Sequence, residues 1–376
     1  MNSKLENIKK IDISKPLKLD CGKTINNFPL AYETYGKLNE NKDNAILIFH
    51  ALTGDQFVAG TNPVTKKQGW WVTAVGPEKA IDTNKNFVIC ANVSGGCMGS
   101  LGQRDINPQT THPYGLDFPV ITIKDMVRAQ ESLLEHLKIK KLLCATGGSM
   151  GGMQLLQFCA TFPDKTFSAI PIACSSSHSA QNIALNELAR QAIMADPIWD
   201  KGKYFLKNVQ PKNGLAVARM VGHISYLSEK GMQEKFGRKL QEKADYEFSF
   251  NADFQVESYL RHQGYAFVER FDANSILYIT RAMDYFDLTK QFKDGLTGAF
   301  KNQQTKFLVV SFSSDWLYTT GENKDIVIAL NELARQAIMA DPVWDNGKYF
   351  LKNTQPKNGL AVARMVGHIS YLSEQG

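Results

Sequence analysis

The chain carries no C-x-x-C pair and no zinc-ligand spacing, so neither a redox dithiol nor a structural zinc site is indicated. It has no Lys/Arg-rich block. A formal charge of +6 spread over 376 residues suits an anionic small-molecule partner and argues against nucleic acid. No apolar run is long enough to span a bilayer, which argues against a membrane protein. The start, "MNSKLENIKKIDIS", lacks the apolar segment of a signal peptide. A cytoplasmic location is therefore expected. The six cysteines (Cys21, Cys90, Cys97, Cys144, Cys159, Cys174) mostly lie inside apolar runs, the pattern of buried free thiols in a reducing compartment. What remains is ordinary: 43% hydrophobic and 21% charged residues, enough for one large domain with an insertion or for two domains.

Strand and helix signals alternate through the first two-thirds. "NAILIFHAL" and "NFVICANV" read as strands, the second followed by a Gly/Pro-punctuated loop to Pro119. "TIKDMVRAQESLLEHL" spaces Met126, Val127, Leu133, Leu134 and Leu137 as a helix does. "KKLLCATGG" is a strand, "MGGMQLLQFCATFP" a helix stopped by its proline, and "FSAIPIACSS" a further strand. Alternation with apolar strands predicts an α/β fold whose mostly parallel sheet is covered by helices on both faces. From Ser177 the pattern turns helical and amphipathic, and strand character returns only at "TKFLVVSFSSD". This predicts a core in two parts, 1–176 and 296–327, interrupted by a helical lid over 177–295.

Residues 328–376 repeat residues 183–231 at a constant offset of 145, with only four differences: Ile198/Val343, Lys201/Asn346, Val209/Thr354 and Lys230/Gln375. Solenoid repeats are contiguous, numerous and degenerate. A single, distant, near-verbatim copy instead marks a duplication, recombination or assembly junction in the gene.

Ser149 lies in Gly147-Gly148-Ser149-Met150-Gly151, a G-x-S-x-G pattern between a strand and a helix. A serine on so tight a turn takes strained dihedrals, and small neighbours are needed where strand and helix crowd together. The pattern marks Ser149 as a candidate nucleophile against the reading of an incidental serine in a glycine-rich turn. An acyl-transferring serine needs two N–H donors for its oxyanion. Met150 supplies one at a helix N-terminus, and Leu52 in "FHALTGD" fits the second. His50 is expected to shape that loop rather than to catalyse. Asp315 ends an apolar strand downstream of the serine, where the acid of a Ser…Asp…His order belongs, or where an aspartate caps a following helix.

These segments, with "AYETYGKLN", "GWW", "AIDTNKNFVICANVSGGCMGS", "HPYGLDFPVITIKDMVRAQ", "QPKNGLAVARMVGHISYLSE", "RFDANSILYITRAMDYFDL" and "SFSSDWLY", make the chain resemble the homoserine O-acyltransferase family of the α/β-hydrolase fold over residues 30–327. Phe57 and "GSLGQRDINP" depart from the usual pattern. The resemblance implies acyl-CoA-dependent acylation of L-homoserine, a step toward methionine, with acetyl-CoA as co-substrate and no permanently bound cofactor or metal. It implies Ser149 as nucleophile, Asp315 as the acid of the triad, and Arg219 as the residue that grips the substrate carboxylate. A homodimer through the lid is also implied. Succinyl-CoA as donor, serine as acceptor, and a plain esterase are the rival chemistries.

The family's base lies in a Gly-His-Asp turn roughly thirty residues after that aspartate. Here the duplicated segment stands in its place, and no Gly-His-Asp occurs anywhere. Of the seven histidines only His368 follows Asp315, and it is the copy of His223 inside an amphipathic helix. Loss of the base makes a catalytically defective, ligand-binding product the alternative of another class. The tail is expected to be helical and poorly docked, with no final edge strand.

Overall fold

Every residue of Ala45–Phe49 is buried, as a strand covered on both faces must be. In the computed structural model this run lies at the centre of a seven-stranded sheet. The structure describes residues 5, 8–248, 251–301, 303–315, 317–318, 348, 351–352 and 354–357. The sheet strands in chain order are β1 (Lys10–Ile13), β2 (Phe28–Tyr35), β3 (Ala45–Phe49), β4 (Phe87–Ala91), β5 (Leu142–Gly148), β6 (Thr166–Ile172) and β7 (Lys306–Phe307). Their spatial order is β1-β2-β4-β3-β5-β6-β7. From β4 to β7 all neighbours are parallel, while β1–β2 and β2–β4 are antiparallel. The expected mostly parallel α/β sheet is therefore present. The antiparallel β1–β2 edge was not expected. Its strands carry little signal, since "KIDI" is half charged and β2 ends in partly exposed residues without strict alternation.

Helix α1 (Ile123–His136) starts at a capping box: Thr122 Oγ1 accepts from the Asp125 N–H at 3.1 Å, and Asp125 Oδ2 accepts from the Thr122 N–H at 2.9 Å. Its buried face carries Met126, Val127, Leu133 and Leu134, four of the five positions read from the sequence. Helix α2 (Met150–Thr161) is buried from Met150 to Ala160 and packs on β5 and β6. A helix enclosed on all sides needs no charged face; its two buried glutamines, Gln154 and Gln157, are satisfied by hydrogen bonds to the His50 carbonyl and to Gln291.

Among the described residues six α-helices lie between β6 and β7: α3 (Ala180–Ala195), α4 (Lys212–Ser225), α5 (Glu229–Lys235), α6 (Gln255–Val268), α7 (Ala273–Asp284) and α8 (Gly295–Phe300). Helix α4 packs between α3 and α6, and α3 also rests on α7. Helix α7 fastens this group to the core. Asp272 caps it by accepting from the Ser275 N–H at 3.0 Å, pairs with Arg104 at 2.7 Å, and accepts from the Tyr204 hydroxyl at 2.6 Å.

The strand expected over Thr305–Asp315 is shorter. Its ladder spans Lys306–Phe307, with one further bridge from Val310 to Ile172, before the chain turns at Phe312–Asp315. Two serines and an aspartate in "SFSSD" favour the turn over the ladder. The expectations for 328–376, including His368, lie outside the described residues, apart from 348, 351–352 and 354–357.

Candidate active site

Ser149 joins β5 to α2 with φ 55° and ψ −123°, a conformation that a side chain rarely adopts. Its N–H donates to the carbonyls of Ile172 (2.9 Å) and Ala173 (3.2 Å), so β6 fixes the turn. The flanking glycines answer to sterics. A Cβ on Gly147 would lie 2.6 Å from the Gly151 carbonyl, and one on Gly151 would lie 2.1 Å from the Phe49 oxygen. Gly148, by contrast, has ordinary room, with the Ile172 oxygen at 3.7 Å.

Phe49 ends β3 and opens the loop that carries Leu52. His50 sits beneath this loop. Its Nδ1 donates to the Ala51 carbonyl at 2.8 Å, which leaves Nε2 to accept from the Val93 N–H at 3.2 Å. Burial lowers its pKa to about 4, partly opposed by the Ala51 hydrogen bond. A neutral ring with both nitrogens engaged is a loop support, as expected for His50. Asp55 closes the loop by accepting from the Phe57 N–H (2.9 Å) and from Asn62 (3.1 Å). Gln154 of α2 donates to the His50 carbonyl at 3.1 Å, tying loop and helix together. Leu52 lies in this loop and Met150 opens α2, so the two expected donors flank Ser149 from loop and helix.

Leu52, Ser149 and Arg219 line one cavity, with His178, Asn182, Tyr226, Phe267 and Tyr318. Arg219 comes from α4. Its guanidinium lies 4.9 Å from the Phe267 ring centroid and 5.9 Å from that of Tyr226, and its Nη1 donates to Thr53 Oγ1 at 3.2 Å. Burial lowers its pKa, with Tyr226 opposing and the nearby Arg270 adding to the effect. No carboxylate pairs with it among the described residues. A half-buried guanidinium without a counter-ion among the described residues is suited to an anion.

Asp315 does not line the cavity. Its Oδ1 accepts from the N–H groups of Leu317 (3.0 Å) and Tyr318 (2.9 Å), a local turn of the aspartate on its own chain; the helix it was expected to cap, as the alternative, lies outside the described residues. It thereby sets Leu317 and Tyr318, which do line the cavity. Tyr318 was not singled out from the sequence, although "SDWLY" contains it. The Ser149 hydroxyl donates to its phenol oxygen at 3.2 Å. Burial holds the Tyr318 pKa well above the ordinary phenol value, against the opposing Ser149 hydrogen bond. His178 and Asp284 carry no signal in the sequence, the first in a polar loop and the second at the end of the largely buried α7, and only the fold joins them. Among the described residues no cluster of three metal-ligating side chains occurs, and no helix is long and apolar enough to cross a membrane.

A family model described as alpha/beta hydrolase fold matches residues 44–323. The homoserine O-acetyltransferase of Pelagibacter ubique (strain HTCC1062) is 66% identical over 341 residues, covering 91% of this chain and 92% of that protein. The chain belongs to the homoserine O-acetyltransferase family of α/β hydrolases. The Mesorhizobium japonicum homoserine O-acetyltransferase is 54% identical over 94% of this chain and 91% of its own length. Among solved structures, homoserine O-acetyltransferase from Bacillus anthracis superimposes with a TM-score of 0.79 at 28% identity, covering 86% of this chain and 88% of that one. Esterase E22 superimposes with a TM-score of 0.77 at 26% identity over 95% of this chain and 99% of its own. Acetyltransferase and esterase thus share the fold of this homoserine O-acetyltransferase family member, and the cavity must decide between them.

Proposed function

We propose that the chain transfers an acetyl group from acetyl-CoA to the hydroxyl of L-homoserine through an ester on Ser149. One observation carries the reading: a serine on a strained strand-to-helix turn shares a cavity with a half-buried arginine that no carboxylate neutralises among the described residues. Ser149 Oγ attacks the thioester carbonyl. The Leu52 and Met150 N–H groups stabilise the oxyanion as the CoA thiol leaves. Arg219 grips the homoserine carboxylate, so that the hydroxyl attacks the acyl-enzyme and regenerates Ser149. The helices from α3 to α8 serve as a lid that favours the amino acid over water. Asp315 remains the candidate acid of the triad. It is engaged with two N–H groups here, and the family's Gly-His-Asp base is absent from the sequence. Loss of one triad member leaves what the oxyanion hole and binding supply, on the order of 10⁴–10⁶ below an intact enzyme in kcat. A cytoplasmic enzyme that dimerises through the lid completes the proposal.

The likeness to esterase E22 favours a second reading, in which water takes the acyl group. Incubation with acetyl-CoA or succinyl-CoA, and with L-homoserine, L-serine or neither, separates these chemistries by product. O-acetylhomoserine formed slowly is the expected result. Free acetate at the same rate with and without homoserine would make the chain an esterase. Turnover equal to that of the Pelagibacter ubique relative would show that the base is not missing.

A further inference from the structure

The cavity beside Ser149 holds two buried acceptor atoms with no partner, His178 Nε2 and Asn182 Oδ1. Buried polar atoms are almost always hydrogen-bonded, so two orphans in one cavity call for an explanation. Their chemistry is fixed by the partners they do have. His178 Nδ1 faces Asp284 Oδ1 at 3.3 Å. An ionised carboxylate can only accept, so Nδ1 carries the hydrogen and Nε2 is an acceptor. Asp284 is further held by Arg190 at 2.7 Å and by the Asn186 amide at 2.8 Å. Asn182 is oriented the same way: its Nδ2 donates to the Leu317 carbonyl at 3.1 Å, which turns Oδ1 away as the free acceptor. Both side chains are buried, His178 at 2% and Asn182 at 4% exposure.

We infer that His178 Nε2 and Asn182 Oδ1 form a subsite for a hydrogen-bond donor, the ammonium group of an α-amino acid whose carboxylate lies on Arg219. The inference rests on the reading of Arg219 given above and deepens it. A guanidinium without a counter-ion and two acceptors without donors, lining one cavity, have the polarity of a zwitterion. They also select against acceptors that carry a hydroxyl but no amine. Such a ligand would leave the two acceptors desolvated and unpaired, which is the stronger form of discrimination.

The test uses the full chain carrying Ser149→Ala, so that nothing is turned over. It is titrated calorimetrically with L-homoserine and with 4-hydroxybutyrate, which keeps the carboxylate and hydroxyl but lacks the ammonium. L-homoserine should bind more tightly. Adding His178→Phe or Asn182→Leu should weaken L-homoserine about 10- to 100-fold, as expected for a lost hydrogen bond to a charged group, and leave 4-hydroxybutyrate unchanged. Equal affinity of the two ligands in the Ser149→Ala chain overturns the assignment, even if a further variant fails to fold. So does an equal loss for both ligands, or no loss for L-homoserine. If Arg219→Ala leaves 4-hydroxybutyrate binding intact, the carboxylate reading fails while the contrast between the two ligands still stands or falls by itself.

Discussion

Gly151→Ala should unseat the turn that holds Ser149, whereas Gly148→Ala, three residues earlier in the same motif, should not. A Cβ at 151 would lie 2.1 Å from the Phe49 oxygen and 2.9 Å from its carbonyl carbon. Ordinary non-bonded separations are roughly 3.5 Å, so relief requires a shift of more than ~1 Å. Neither side can yield cheaply. Phe49 is fully buried at the end of β3 and in register with Gly147 of β5, while residue 151 lies in the first turn of the enclosed helix α2. Overpacking costs about 1–3 kcal/mol, and the upper end applies because both colliding groups are backbone. For a domain of this size that lowers the melting temperature by roughly 3–5 °C. At position 148 the nearest atom is the Ile172 oxygen at 3.7 Å. The expected change there is within about 0.5 kcal/mol, roughly a degree of melting temperature or less. Scanning calorimetry of the two variants beside the parent decides the matter. Equal melting temperatures for Gly151→Ala and the parent, or a larger loss for Gly148→Ala, would refute the steric account of the turn.

Ser149→Gly should relieve the left-handed strain at φ 55° and raise stability by about 1 kcal/mol, read as a higher denaturation midpoint; a lower midpoint would show that the turn is not strained. His50 has a folded pKa near 4 against about 6.5 when unfolded. The unfolded chain therefore takes up its proton first, and stability falls as pH drops from about 6.5 toward 4. At pH 5 this contribution approaches ~2 kcal/mol, so denaturant midpoints of His50→Gln should vary less between pH 7 and 5 than those of the parent. An unchanged slope would remove His50 from the acid response. Arg219→Ala should abolish calorimetric L-homoserine binding, and Arg219→Lys should restore only part of it, because a point charge replaces a planar fork. Binding that survives Arg219→Ala would place the carboxylate elsewhere.

The sequence shows the catalytic turn more clearly than the cavity around it. Gly147, Ser149 and Gly151 announce themselves because a backbone crossing constrains consecutive residues, and consecutive residues can be read. The buried core of the sheet was legible for the same reason in "AILIF" and "LLCATGG". Tyr318, His178, Asn182 and Asp284 were not. They stand far apart in the chain, and each hydrogen bond among them depends on how α3, α7 and the segment after β7 dock. Arg219 lay between these cases, since its role came from a family resemblance, while its lack of a carboxylate partner came only from the fold. Asp315 looked like a strand-end acid, yet its carboxylate is engaged with two N–H groups just beyond it, a local preference that aspartate shows in any fold.

The cavity draws its reacting serine from the β5–α2 turn and its recognition groups from helices inserted between β6 and β7. On the proposed reading, nucleophile and recognition lie in separate stretches of the chain, the first narrowly constrained by backbone crowding at Gly147 and Gly151. The two stretches are joined by α7, whose buried face packs into the core of the sheet and whose Asp272 pairs with Arg104, so a change of the inserted helices reaches the site through that contact. The separation still makes the acceptor wall the natural place for a new substrate preference to arise, because the backbone contacts on which the nucleophile depends lie outside it.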